Sequence, residues 1–312
     1  VCRVIAAVTQ DQLQHKVLAP YLATKRWFAA KGRPITRIDI LEQGEWNSGD
    51  GSWLLTLIEV HCADIPTQLY FLPLAICWED EASAEMFNFL GPWTLARVRQ
   101  KGRTGLLYGA FGDDRFCRAL VQGIGQNLDV PFGKGHAEFR SSTIYKELAD
   151  GIDTPVRHPA LEQSNTAVYF GNRLFLKGYR RLQPGTNPEV EVGRFLTEKS
   201  PYPRIVPVAG SVEFRRADGQ TLTLALLQSY VENQGMGWNF AVDYLERFLS
   251  EQLVESAPRP TRSTGSPHGY FLTLMEVLGH RSAELHQAFS RPTGDAAFDP
   301  EPITQDDLVA WS

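Results

Sequence analysis

The stretch EQSNTAVYFGNRLFLKGYRRLQPGTNPEVEVGRFL, residues 162–196, decides the fold of this 312-residue chain. Two short apolar runs, NTAVYF and RLFLKGY, flank Gly171-Asn172, a dipeptide suited to a hairpin turn. Strand periodicity puts Leu174 and Leu176 on one face of the second run, and Phe175, Lys177 and Tyr179 on the other. A lysine among such neighbours is costly to bury without an anionic partner. The helix predicted next supplies candidates: Asn187 as N-cap, Pro188 in the first position, then Glu189 and Glu191 in the first turn. Carboxylates there are favoured by the helix dipole in any case. Pattern alone leaves two readings open. One is a structural ion pair. The other is a helix carboxylate that fixes the Lys177 ammonium so that it meets two phosphates, the kind of point charge that phosphoryl transfer needs. In the second reading EQSNTA is the turn covering the phosphates. Its small hydroxylated residues and backbone N–H groups suit that task, although it lacks the usual glycines.

Upstream, DQLQHKVLAPYLATKRWFAAKGRP has helical spacing at Leu13, Val17, Leu18, Tyr21 and Leu22, interrupted by Pro20. ITRIDILEQGEW, SWLLTLIEVHC and TQLYFLPLAICW read as strands of an antiparallel sheet, with NSGDGS (47–52) closing a hairpin. LLYGAFGDDRFCRALVQGIG reads as strand, Gly-Asp-Asp turn, strand. NLDVPFGKGHAEFRSS reads as a loop and part of a strand. Its FGKGHAEF does not match the phosphate-loop pattern, and a surface loop is the simpler assignment. The β pattern continues to residue 231, broken by one helix at 188–199. AVDYLERFLSEQL and GYFLTLMEVLGHRSAELHQAFS are then helical, separated by the loop SAPRPTRSTGSP (256–267). The order predicts an α+β fold in three parts: a β-rich unit with a helix over 1–90, a second sheet with one helix over 91–232, and helices over 233–312.

Composition narrows the function classes. The chain is 43% hydrophobic, enough to bury a sizeable core, and carries a net charge of −5, which argues against nucleic acid as partner. No apolar run approaches the ~20 residues of a membrane span, and no secretory signal pattern opens the chain. Cys2, Cys62, Cys77 and Cys117 are scattered without zinc or C-x-x-C spacing, as expected of free thiols in a cytoplasmic protein. The first residue is Val, which processing or excision from a longer protein would explain.

Residues 162–238 resemble the maltokinase family, bacterial kinases of aminoglycoside-phosphotransferase-like fold that make maltose 1-phosphate from maltose and ATP. The resemblance rests on EQSNT at 162–166, LKGYRRL at 176–182, G-x-NPE-x-E at 185–191 and NQG-x-GW at 233–238. YLATKRWFAAKG at 21–32 is similar to the family's N-terminal cap element, and LGHRSAELHQAF at 278–289 to a helix of its helical lobe. The family is often fused to trehalose synthase and serves trehalose-to-glycogen metabolism. The resemblance implies a β-rich N-terminal cap, a protein-kinase-like N-lobe that binds nucleotide, and the first helices of a truncated helical lobe. It implies that Lys177 binds the ATP phosphates with Glu191, rather than Glu189, as its helix partner. Gln163, Ser164 and Asn165 would line the phosphate turn. Adenine would meet backbone between Ser229 and Val231, with Gln228 supporting that strand end.

Two departures stand out. Met236 occupies a position where the family usually has Asp. Neither the catalytic H-G-D-x-H loop nor the metal-binding D-F-E motif is present, so no catalytic or metal residue is expected within this stretch. HGY at 268–270 has no Asp. Asp299 and Glu301, in FDPEP, are weak candidates, and His286 is expected to pack on its helix. Thr304 and Asp307 resemble a capping box with Asp in place of Glu. The expectation is a maltose-kinase fragment that does not turn over maltose alone and binds ATP weakly, with Mg²⁺ held by the complete enzyme. Alternatives are part of a bifunctional trehalose synthase, for which no barrel-type repeat or paired acids speak, and a docking module. The docking module would present Trp27, Trp46, Trp53, Trp78 and Trp93, residues more often found in a core.

Overall fold

A computed structural model describes residues 7–49, 51–159, 164–254 and 268–311. The chain divides into two compact units, one of Val1–Glu198 with Ile205–Tyr230 and one of Lys199–Arg204 with Val231–Ser312.

The first unit opens with α1 (Ala7–Gln12), a π-helical turn over Leu13–Leu18, and α2 (Ala19–Thr24). Pro20 lies at the start of α2, where a missing N–H costs least. An antiparallel sheet follows: β1 (Ile35–Ser48), β2 (Gly51–Cys62), β3 (Gln68–Phe71), β4 (Leu74–Trp78), then α3 (Ala84–Leu90), β5 (Thr94–Gln100) and β6 (Arg103–Gly109). Next come α4 (Asp114–Gln126), β7 (Asp129–Phe132), β8 (Gly135–Ser141), α5 (Tyr145–Leu148), β9 (Val156–Arg157), β10 (Thr166–Phe170), β11 (Leu174–Gly178), β12 (Arg181–Leu182), α6 (Pro188–Arg194), β13 (Val208–Arg215) and β14 (Thr221–Ser229). The first sheet has the order β12-β3-β2-β4-β6-β5, with β1 also on β2. The second runs β7-β8-β13-β14-β11-β10-β9. One apolar core joins the two sheets through Trp46, Trp53, Phe116, Phe132, Phe139 and Phe214, and a smaller one lies under the N-terminal helices.

Three sequence assignments change. The boundary expected at residue 90 falls inside the first sheet, because β5 and β6 complete it and β6 pairs with β4. Residues 114–126, read as a strand, form α4. Asp113 caps it by accepting from Arg115 N at 2.9 Å, and Phe116, Cys117, Leu120, Val121 and Ile124 bury one face at helical spacing. Gly125 makes room for Tyr145, whose ring would lie 2.3 Å from an added Cβ, so a glycine that weakens the helical signal is required by packing. FGKGHAEF is the β7–β8 hairpin, turning at Gly133 with φ +58°. The tryptophans follow the core assignment in part: Trp27, Trp46 and Trp53 are buried, Trp93 packs partly buried against the core, and Trp78 is half-buried under the Arg103 guanidinium. The described cysteines Cys62, Cys77 and Cys117 are free thiols.

The second unit contains α7 (Gly237–Val254), α8 (Gly269–Phe289) and α9 (Gln305–Trp311). Tyr244 stacks on Phe271 with centroids 4.4 Å apart, and Tyr202 and Ser200 donate to the carbonyls of Arg281 and Ala288. The Thr304–Asp307 capping box forms in both directions, with Asp307 N on Thr304 Oγ1 and Thr304 N on Asp307 Oδ2. Among the described residues no helix is long and apolar enough to cross a membrane.

Asp113 is a buried carboxylate that accepts also from Tyr108 Oη at 3.0 Å and Arg115 Nη2 at 2.9 Å. Asp113→Ala removes the α4 cap and orphans a buried hydroxyl. It is expected to lower unfolding free energy by about 2–4 kcal/mol in a urea titration.

Candidate functional site

The hairpin of β10 and β11 is built as its sequence demands. Phe170 pairs with Leu174 across Gly171, whose φ of +50° suits the turn, and Leu174 and Leu176 are fully buried on one face. Lys177 lies on the other face, between Ala167 of β10 and Leu226 of β14. Its side chain is 23% exposed, so the ammonium is partly stripped of water. The next residue, Gly178, has no room for a side chain: an added Cβ would stand 2.4 Å from the Phe111 ring. That close approach ties the end of the lysine strand to the residues that precede α4.

The ammonium meets a carboxylate from α6. Lys177 Nζ donates to Glu189 Oε2 at 2.5 Å, and the Tyr179 hydroxyl donates to the same oxygen at 2.7 Å. Burial first, and the adjacent Glu189 carboxylate second, push the Tyr179 hydroxyl well above its usual range, so it remains a proton donor at any working pH. Asn187 Oδ1 accepts from Glu189 N at 2.9 Å, fixing the helix start that carries the carboxylate. Two donors on one oxygen hold the carboxylate from the strand side, while the cap holds its backbone.

The partner is therefore Glu189 and not the expected Glu191. Two residues along an α-helix turn the side chain by about 200°, so the two acids cannot face the same strand. The buried face of α6 carries Val190 and Gly193, with Gly193 against Val208 of β13, and this sets Glu189 toward β11. Glu191 is half-buried and bonded through its backbone, its N–H donating to Asn187 O at 3.0 Å, while the ammonium of Lys177 goes to Glu189.

Ser164 is exposed and Asn165 half-buried, and both line a cavity of about 360 Å³ with Tyr179, Arg181, Asn187 and Trp27. Gln163 lies outside the described residues. The turn predicted to cover phosphates thus shares a cavity with the tyrosine that holds Glu189. Arg181 was not singled out from the sequence. Its signal was its place in LKGYRRL, two residues past the only tyrosine of that run. Beside it, Arg180 is buried, its guanidinium 4.6 Å from the Trp27 ring and 5.4 Å from that of Trp93.

At the end of β14, Ser229 N donates to Pro207 O at 3.0 Å and Tyr230 N to Arg173 O at 2.8 Å. Two of the backbone donors expected to meet adenine are thus already used. Val231, in the second unit, is exposed, and its carbonyl accepts from Asn233 Nδ2 at 3.3 Å.

The remaining candidates are structural or exposed. Asp299 accepts from Thr293 N, Thr293 Oγ1 and Gly294 N, which hold its carboxyl below the usual range and make it the organiser of its own loop. His286 stands on the exposed side of α8 rather than packed, and Met236 is 68% exposed. Among the described residues the one group of three His, Cys, Asp or Glu side chains with ligating geometry is Asp39, Glu59 and His61 on β1 and β2, none of them near Lys177 in the sheet order.

Residues 21–113 match the model of the maltokinase N-terminal cap domain, which reaches from α2 through β6 to the cap of α4. This bears out the resemblance drawn from RWF and its surroundings and agrees with the extent of the first sheet. Two solved structures of glucosamine kinase are similar in fold. Crystal form B gives a TM-score of 0.51 at 17% identity, and crystal form A 0.50 at 16%, each over 94% of this chain and 55% of theirs. The chain spans about half the length of these structures. A β-rich cap followed by a kinase-like lobe is the fold.

Glu189→Ala leaves a partly buried ammonium and a buried hydroxyl without their acceptor, and is expected to cost about 1–3 kcal/mol in denaturant unfolding. Glu191→Ala is expected to stay within about 0.5 kcal/mol of the parent. Equal losses in the two variants would refute the assignment of the partner.

Proposed function

We propose that this chain is the cap and nucleotide-gripping lobe of an ATP-dependent sugar kinase, with maltose as acceptor and maltose 1-phosphate as product. The observation that carries it is the Lys177–Glu189 pair on a strand and the following helix, in a chain headed by a match to the maltokinase cap. A fixed ammonium is what a triphosphate needs from a protein whose catalysis is positioning and charge stabilisation. Lys177 would grip the phosphates while Glu189 and Tyr179 set its direction. Ser164 and Asn165, with Gln163, would supply polar groups over them. Adenine would lie against the strand end at Ser229.

Among the described residues the one ligating group of three side chains, Asp39, Glu59 and His61, lies on the cap strands β1 and β2. In this reading Mg²⁺, the acceptor-orienting aspartate and most sugar contacts come from a further part of the helical lobe. Two facts support that. The chain spans 55% of the glucosamine kinase structures. The helices of the second unit also expose large apolar side chains, among them Trp238, Leu249, Leu253 and Leu272. A cytoplasmic setting accords with the free thiols. A trehalose synthase module, fused or separate, is the partner the resemblance implies, because it would supply maltose.

Calorimetric titration of ATP with Mg²⁺ into residues 1–312 and into Lys177→Ala tests the site. Weak, saturable binding that falls at least about tenfold in the variant is expected. The same titration on a longer parent chain, with a maltose-dependent ADP assay, tests the reaction. A parent that binds ATP equally well with and without Lys177 would overturn the assignment, and phosphorylation of glucosamine but not maltose would overturn the acceptor.

A further inference from the structure

The cap carries a constellation unconnected with Lys177. Antiparallel register places Asp39 of β1 directly opposite Glu59 of β2, and Arg37 opposite His61. Two carboxylates facing each other across a strand pair repel. His61 reaches between them, its Nε2 3.1 Å from Asp39 Oδ2 and 3.6 Å from Glu59 Oε2. The three ligand atoms all lie within 4.8 Å of one another. On the far side of the ring the Thr67 hydroxyl sits 3.1 Å from Nδ1. Arg37 Nε lies 2.8 Å from the same Asp39 Oδ2 and 2.9 Å from Oδ1, so an exposed guanidinium already shares this carboxylate with His61.

One imidazole nitrogen and two carboxylate oxygens thus converge, and Arg37 is in contact with the Asp39 carboxylate alone. Between His61 and Glu59 the positive centre is either a proton on Nε2 or a metal ion that displaces Arg37 from Asp39 Oδ2. The spacing suits a metal: for ligand bonds of ~2.0–2.2 Å a tetrahedral site has edges of ~3.3–3.6 Å, close to the two contacts His61 makes. The Thr67 hydroxyl can accept from Nδ1–H and leave Nε2 as the ligand atom, the outer contact that metal-binding histidines use. One imidazole with two carboxylates suits Zn²⁺ or Co²⁺ rather than Mg²⁺, which favours oxygen alone. All three side chains are about one-quarter to one-third exposed, so an ion can enter and keep water in its remaining position.

We propose that Asp39, Glu59 and His61 form a divalent transition-metal site on the solvent face of the cap sheet, oriented by Thr67, that clips β1 to β2. The test is competitive titration of Zn²⁺ against a chromogenic chelator at neutral pH, with visible absorption of the Co²⁺ form as a second readout. Cys77→Ser serves as the background, to silence the half-buried thiol. One equivalent of Zn²⁺ is expected to bind, with at least a tenfold loss in His61→Gln and in Glu59→Gln. Thr67→Val is expected to weaken binding about tenfold, as loss of an outer-shell partner does. Arg37→Ala, which removes a competing cation, is expected to tighten it. Thermal unfolding of each variant without metal checks that the cap is intact. Absence of saturable uptake, or an affinity unchanged in the His61 and Glu59 variants, would overturn the proposal and assign the centre to a proton.

Discussion

A partly buried ammonium has to be answered by a carboxylate, and much of the second sheet is arranged around that requirement. Lys177 cannot leave β11 without disturbing the buried Leu174 and Leu176 on the other face of the strand. Its counter-charge must therefore come to it. α6 brings Glu189 within 2.5 Å, and the buried Tyr179 hydroxyl adds a second donor to the same oxygen. The helix is held in turn by its Asn187 cap and by a glycine that lets it settle on β13. A charge pair of this kind contributes little net stability, because desolvation offsets most of the attraction. Its value lies in geometry: it fixes where one positive charge points.

The local grammar of residues 162–196 was readable because each signal has a nearby physical cause. Gly171 marks the hairpin, alternation marks the buried face, and Asn187-Pro188 marks the helix start. The choice between Glu189 and Glu191 was not readable, since the dipole favours both and only the packing of Val190 and Gly193 decides which one faces β11. α4 was hidden for a similar reason. Its two interior glycines, Gly123 and Gly125, lower the helical signal, and the rings of Phe139 and Tyr145 that require them come from later in the chain. The edge of the cap was misplaced because α3 and its proline-containing exit look like a boundary, while the pairing of β6 with β4 is a long-range fact. His286 fell outside the expected packing because local periodicity does not say which helical face is covered.

The cap and the lysine strand meet in a short run. Immediately after Gly178, Tyr179 turns to Glu189, and Arg180 enters a cage of Trp27, Trp93 and Phe111 from the cap side. Arg181 and Leu182 then form β12, which pairs with β3 at the edge of the first sheet. The chain returns from there to the N-cap of α6. The cavity at Ser164 and Asn165 has Trp27 in its wall for the same reason.

The two residues of β12 have a bearing on how this architecture can be edited. They are the last strand of a sheet whose other strands all precede residue 110, yet they lie inside the connection between the lysine and its glutamate. The cap is thus a discontinuous module, with one small piece stored in the middle of its neighbour. A chimera that exchanges residues 21–113 alone would put a foreign sheet edge against the native Arg181–Leu182. Recombination between relatives should tolerate cap exchange only when both pieces travel together, and a cap that diverges in sequence is bound to carry the 180–182 tripeptide with it.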